Sequence, residues 1–288
     1  MRGVASVRVG ERYRLDLPLG VPDHKSVRRN PIGKVSPPFQ KVGFAIKEPG
    51  AHVDGACIIG SDDYVTFALQ GSSHWDALAH VGLREDGSDE VFYNRRGIDT
   101  VDNYGHARVN GIDGPASVGV VGRGVLLDVA RCEANGGDDP LPLSTRITPE
   151  MTARCIAEQD VEILPGDVVC LRTGWIERLV AATESERMRL YAESPGLEPS
   201  HVELAHRQRW AAVAADNLGV EFMPMGPPRQ TAHVLMMRNL GLLFGELFTF
   251  RSLADACASD GRWEFLFMSC PLHVPGGLGS PPNAIAVR

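Results

Sequence analysis

Five side chains in this sequence are of the types that hold a metal ion or move a proton. His74, Asp76 and His80 fall within seven residues, with Trp75 between the first two, and His233 and Glu246 follow far downstream. Imidazole nitrogens and carboxylate oxygens are ligands for zinc or manganese. An ion held by three or four such groups with one position open brings the pKa of water down toward neutrality. On a strand, residues i and i+2 face the same side, so His74 and Asp76 could point at one ion. His80 could return toward that ion or stand beside it as acid and base, its ordinary pKa of roughly 6.5 suiting proton transfer at cell pH. The competing reading is a buried core histidine and a turn-capping aspartate. From residue types alone both readings stand.

The elements that must position these residues belong to a chain of 288 residues with 43% hydrophobic content, enough for one large domain or two small ones around a sizeable core. A net charge of -7 without a dense Lys/Arg run argues against nucleic acid or an anionic membrane as partner; the expected partner is a small-molecule substrate. Met1-Arg2-Gly3-Val4 does not open a signal peptide, and no apolar run reaches the roughly 18 residues of a membrane helix, so a cytoplasmic location is expected. Cys57, Cys132, Cys155, Cys170, Cys257 and Cys270 contain no Cys-x-x-Cys pair. They read as reduced thiols, several of them in the core, and not as a structural zinc site.

Residues 1–50, polar and rich in Pro and Gly, read as an extended N-terminal arm, and residues 51–288 as one domain. Strands are expected at 51–60, 63–70, 118–129, 168–171, 213–216, 240–250 and 265–270. Thr148-Pro149-Glu150 opens a helix, a long helix is expected over 176–192, and Ser200 with Glu203 forms a capping box for a helix to about Ala211. A short helix is expected near 253–259. Strands and helices intermix over the length, which predicts an α/β fold with a mixed sheet.

Gln70-Gly71-Ser72-Ser73-His74-Trp75-Asp76-Ala77-Leu78-Ala79-His80 resembles the His-x-Gly-Thr-His-x-Asp-x-Pro-x-His signature of the cyclase family of metal-dependent hydrolases, which includes kynurenine formamidase and isatin hydrolase. Further blocks follow in family order: 122–128, the Leu164-Pro165-Gly166-Asp167 turn, 171–175, 233–237, 245–247 and 279–286. The resemblance implies a swivelling β/β/α-like domain that forms dimers or tetramers. It also implies metal ligation by His74, Asp76 and Glu246, acid/base work by His80, and a second-metal role for His233, whose alternative is a hydrogen bond to a ligand. Gln70 stands where the family has its first histidine and is a candidate, weaker ligand. Ser72 and Ser73 replace Gly-Thr, and Leu78 replaces Pro.

Trp75 and Phe67 could wall a planar substrate or pack in the core. Arg172 could hold a substrate carboxylate or form a structural salt bridge. His52 and Asp54 read as surface or interface, Asp216 as a pocket support or a turn cap, and Glu221 as its neighbour at a strand end. Gly122-Arg123-Gly124 lacks the third glycine of a dinucleotide loop. The expected activity is hydrolysis of a C–N bond in an amide, formamide or cyclic amide, assisted by Zn2+ or Mn2+. The alternatives are a cyclase or dehydratase acting on a secondary metabolite, and a non-catalytic binding protein with a decayed site.

Overall fold

The computed structural model describes residues 2–22, 39–46 and 59–288. Among these, nine strands form one mixed sheet: β1 (Arg12–Arg14), β2 (His74–Asp76), β3 (Val120–Asp128), β4 (Val168–Arg172), β5 (Ala212–Ala215), β6 (Leu243–Glu246), β7 (Glu264–Ser269), β8 (Gly279–Ser280) and β9 (Ala284–Val287). Their spatial order is β1-β9-β7-β3-β4-β5-β6-β2-β8. The central β3-β4-β5-β6 run is parallel. On either side of it the pairings are antiparallel.

Helices carry the crossovers: α1 (Val129–Glu133) and α2 (Pro149–Glu158) after β3, then α3 (Trp175–Ala181), α4 (Glu184–Leu190) and α5 (His201–Gln208) after β4, and α6 (Arg251–Asp260) after β6. A π-helical turn, His233–Arg238, links β5 to β6. The parallel strands are apolar and buried, Val168–Leu171 and Ala212–Ala215 throughout, as strands covered on both faces must be. Phe244, Phe248, Phe250, Phe265 and Phe267 fill the same core. No helix among the described residues is long and apolar enough to cross a membrane.

The mixed α/β sheet is the architecture expected, and several details differ. The helix expected over 176–192 is two helices, because Thr183 and Glu186 form a capping box that starts α4 afresh. Ser200 has helical φ/ψ and makes no side-chain cap, so the box expected there does not form. The strand expected over 240–250 shrinks to Leu243–Glu246, since Leu247 turns to φ 57° and its N–H leaves the ladder for Asn217 O. Part of the 1–50 segment belongs to the body: Arg12–Arg14 pairs with β9, and Leu15 is fully buried. Gln40–Ile46 pairs with Gly60–Thr66 in a separate two-stranded ribbon. The boundary placed at residue 50, His52, Asp54, Cys57 and most of the 51–60 strand lie outside the described residues.

Candidate metal centre

β2 is only three residues long, and the two serines before it fix its entry. Ser73 Oγ donates to Leu247 O (2.5 Å) and accepts from Leu17 N (2.8 Å), while Ser72 Oγ donates to Val21 O (2.5 Å). His74 and Asp76 then share one face of the strand. In the antiparallel register His74 lies opposite Glu246, and directly paired residues project to the same side. Sheet geometry therefore brings the three together: His74 Nε2 is 3.2 Å from Glu246 Oε2 and 3.5 Å from Asp76 Oδ1. Each is buried, and one ligand atom from each lies within 4.8 Å of the others, a set that could hold a metal ion.

The surroundings fit a cation. His74 Nδ1 sits 2.7 Å from Ser72 O, and a carbonyl only accepts, so Nδ1 carries the proton and Nε2 is the atom turned to the carboxylates. Asp76 Oδ2 is buried without a hydrogen-bond partner. Two buried carboxylates and an imidazole are the hard and borderline donors that Zn2+ and Mn2+ take. His80 lies just beyond, Nε2 3.8 Å from Asp76 Oδ1, with its side chain 23% exposed. It is the member of the cluster that solvent reaches.

His233 and Gln70 lie beside this three-residue cluster, each bonded to one of its carboxylates. His233 Nδ1 is 2.5 Å from Glu221 Oε1 and Nε2 is 3.2 Å from Glu246 Oε1. Both ring nitrogens are thus spent on carboxylates. Burial alone would push the imidazolium pKa down; the bonds to Glu221 and Glu246 outweigh it and raise the value to about 10. For Glu246 burial alone would favour the neutral acid, yet the bonds from His233 and His74 hold its carboxyl well below the ordinary range. Gln70, the candidate weaker ligand, donates its amide to Asp76 Oδ1. Gly279, paired with Asp76, makes this reach possible: a Cβ there would stand 2.5 Å from Gln70 Cγ.

The three candidates for substrate contact lie in different surroundings. Trp75 is fully buried on the opposite face of β2, where it packs edge-on to Phe248 and Phe267 and donates to Ser269 Oγ (2.8 Å). It is core, because a strand sends its middle residue away from its two neighbours. Arg172 is fully buried and bonds Asp128 (2.9 Å), Asp138 (3.1 Å) and Glu177 (3.3 Å), leaving no fork for a substrate carboxylate. Phe67 is half-buried just past the ribbon strand, three residues before Gln70.

Asp216 is a turn cap: it accepts from Thr173 N, Thr173 Oγ1 and Gly174 N at 2.7–2.8 Å where α3 begins. Burial and neighbouring Glu177 push its pKa up to about 7. Glu221, read from sequence only as a strand-end neighbour, is the residue that matters here. It accepts from Ala232 N (2.8 Å) and His233 N (3.2 Å) as well as engaging the ring.

The Cyclase family model, described as "Putative cyclase", matches residues 23–222, which is more than half of the chain. The chain belongs to the Cyclase family. A solved structure described as a novel cyclase is 30% identical, with all of this chain and 91% of that one covered and a TM-score of 0.82. Isatin hydrolase A from Labrenzia aggregata, solved with benzyl benzoate, is 18% identical over 98% of this chain and 94% of its own, with a TM-score of 0.62. A predicted metal-dependent hydrolase from Bacillus stearothermophilus is 16% identical over 97% and 98%, with a TM-score of 0.52. These last two share the fold. No curated protein matches the chain.

Proposed function

We propose that this chain is a metal-dependent hydrolase that cleaves the C–N bond of an amide, formamide or cyclic amide. His74, Asp76 and Glu246 hold the divalent cation, Zn2+ or Mn2+, and His80 moves the proton. The observation that carries this reading is the buried three-donor set with a partly exposed imidazole beside it. When bound, a divalent cation there polarises a carbonyl and lowers the pKa of water. The two carboxylates match its charge. His80 Nε2 takes a proton from the attacking water and returns it to the leaving nitrogen, which would otherwise depart as an unstable anion. The His233 imidazolium fixes the Glu246 carboxylate from its other oxygen, so that Oε2 stays turned to His74.

Shared architecture with isatin hydrolases supports the hydrolytic reading. The relative described as a cyclase favours a second one, ring closure at the same centre. Product mass separates them: hydrolysis adds water, and condensation removes it.

For His80→Ala we expect turnover to fall by roughly 10²–10⁴ with the metal content per chain unchanged. Elemental analysis beside steady-state kinetics on N-formylkynurenine, isatin and cyclic imides reads both quantities. Normal turnover in that variant would remove His80 from the mechanism. Self-association into dimers or tetramers belongs to the same proposal, supported by a ribbon that leaves Val42, Tyr64 and Val65 43–59% exposed. Light scattering at the monomer mass would withdraw it.

A further inference from the structure

Two thiols with no place in the proposed chemistry face each other behind the central strands. Cys132 lies on α1 and Cys155 on α2, and their sulfurs are 3.0 Å apart. That is inside the ordinary contact distance of two sulfur atoms and about 1 Å beyond a disulfide bond of roughly 2.05 Å. The neighbouring residues hold this register. Arg154, beside Cys155, pairs with Glu133, beside Cys132, at 2.8 Å across the same two helices. At its other end α1 is pinned to the sheet by Asp128, whose carboxylate accepts from Arg131 N (3.1 Å) and from Arg172. Neither helix can turn its cysteine away without breaking one of these contacts.

The two sulfurs also differ in the way that oxidation of a thiol pair requires. Cys132 is half-buried, within reach of a small oxidant, and Cys155 is fully buried. The Cys155 thiol donates a hydrogen bond to Gln159 Oε1 (3.1 Å), which leaves a sulfur lone pair facing Cys132. Its contact with Cys132 and its burial both push the Cys155 thiol upward, so the first sulfur to react is the outer one. Elsewhere among the described residues, Cys170 and Cys257 are buried and Cys270 is exposed.

We propose that Cys132 and Cys155 form a reversible intrachain disulfide, with Cys132 as the attacking sulfur and Cys155 as the resolving one. With hydrogen peroxide as oxidant, the Cys132 sulfur attacks one oxygen and the O–O bond breaks. Cys132 becomes a sulfenic acid, and the other oxygen leaves as water with the thiol proton. The Cys155 sulfur then attacks the Cys132 sulfur, the S–O bond breaks, and the hydroxyl leaves as a second water with the Cys155 proton. Two thiols have lost two electrons and peroxide has gained them. The bond staples α1 to α2 and closes the segment 133–154, which restricts the unfolded chain.

The test uses the full-length protein, treated with hydrogen peroxide under native conditions, alkylated, digested without reductant and mapped by mass spectrometry. The expected result is a linked peptide pair holding Cys132 and Cys155, lighter than the two free peptides by two hydrogens, with alkylation lost at both positions. A reducing agent should restore both thiols, Cys132→Ser should abolish the link, and Cys270→Ser should leave it in place. The proposal is overturned if both thiols remain alkylatable after treatment. It is equally overturned if Cys132 is carried to sulfinic acid with no linked pair, in the wild type and in Cys270→Ser alike.

Discussion

Asp76 and Asp128 are both fully buried aspartates, and they are provided for in opposite ways. Asp128 ends the first parallel strand and receives donors on both oxygens from its own chain: Arg172 on Oδ1 (2.9 Å), Arg131 N on Oδ1 (3.1 Å) and the Arg131 guanidinium on Oδ2 (3.1 Å). Burial works against the Arg172 charge, and the carboxylates of Asp128 and Glu177 more than offset it. Asp76 has a Gln70 amide and nearby histidines on Oδ1, and nothing on Oδ2. A buried carboxylate without matched positive charge is costly, so a chain that keeps one leaves room for a cation from outside. Both clusters sit at carboxyl ends of parallel strands, Asp128–Arg172 on β3–β4 and Glu246 on β6. That edge is where open α/β sheets bind ligands, and charge matching tells the closed cluster from the open one.

The largest effect should come from Asp76→Asn. We expect the metal to be lost and kcat/KM to fall by on the order of 10³ or more, because a bound cation supplies several kcal/mol of transition-state stabilisation. The metal-free protein should be at least as stable as the wild type, since the change removes a buried charge that faces Glu246. Elemental analysis and urea denaturation of the chelator-treated forms check the two halves. A destabilised metal-free variant would mean that Asp76 is a structural residue like Asp128, and the contrast would break.

Asp128→Asn should do the reverse. It removes the fully buried one of the two carboxylates, with Asp138, that Arg172 and Arg131 share, and losing a partner from a buried pair costs up to about 3–5 kcal/mol. Urea denaturation should show that loss while the metal content per chain stays at the wild-type value. Loss of metal without loss of stability would place Asp128 in the functional site.

How much of this was visible beforehand depended on which interactions were local. His74-Trp75-Asp76-His80 could be read from spacing, and so could the helix after Thr148, which accepts from Met151 N at 3.3 Å. Glu246 could be named from its block, but its meeting with His74 depends on the pairing of β6 with β2 across 172 residues, which no local pattern encodes. For Trp75 and Arg172 the sequence leaves a binding role and a structural role open for a related reason. Both are residue types used in binding sites, and only the strand face of one and the three carboxylates around the other show that they are structural. Glu221 carried no signal beyond its charge. Its role appears only when the π-helical turn brings the backbone of Ala232 and His233 onto its carboxylate.

Glu221 therefore gives the smallest and most discriminating prediction. It touches none of the three candidate ligands, yet it orients His233, which orients Glu246. In Glu221→Gln the amide keeps one acceptor but loses the charge that holds His233 as an imidazolium, and its NH2 group cannot accept from Ala232 N. Groups that orient a metal ligand typically govern affinity by about 10–100-fold when altered. We expect metal affinity, measured by competition with a chromogenic chelator, to weaken within that range while one ion per chain still binds at saturation. A change as large as that of Asp76→Asn would make Glu221 part of the ligand set. No change would mean that the Glu246 carboxylate is fixed by its place opposite His74 in the sheet, and that the Glu221–His233 pair is as structural as Asp128–Arg172.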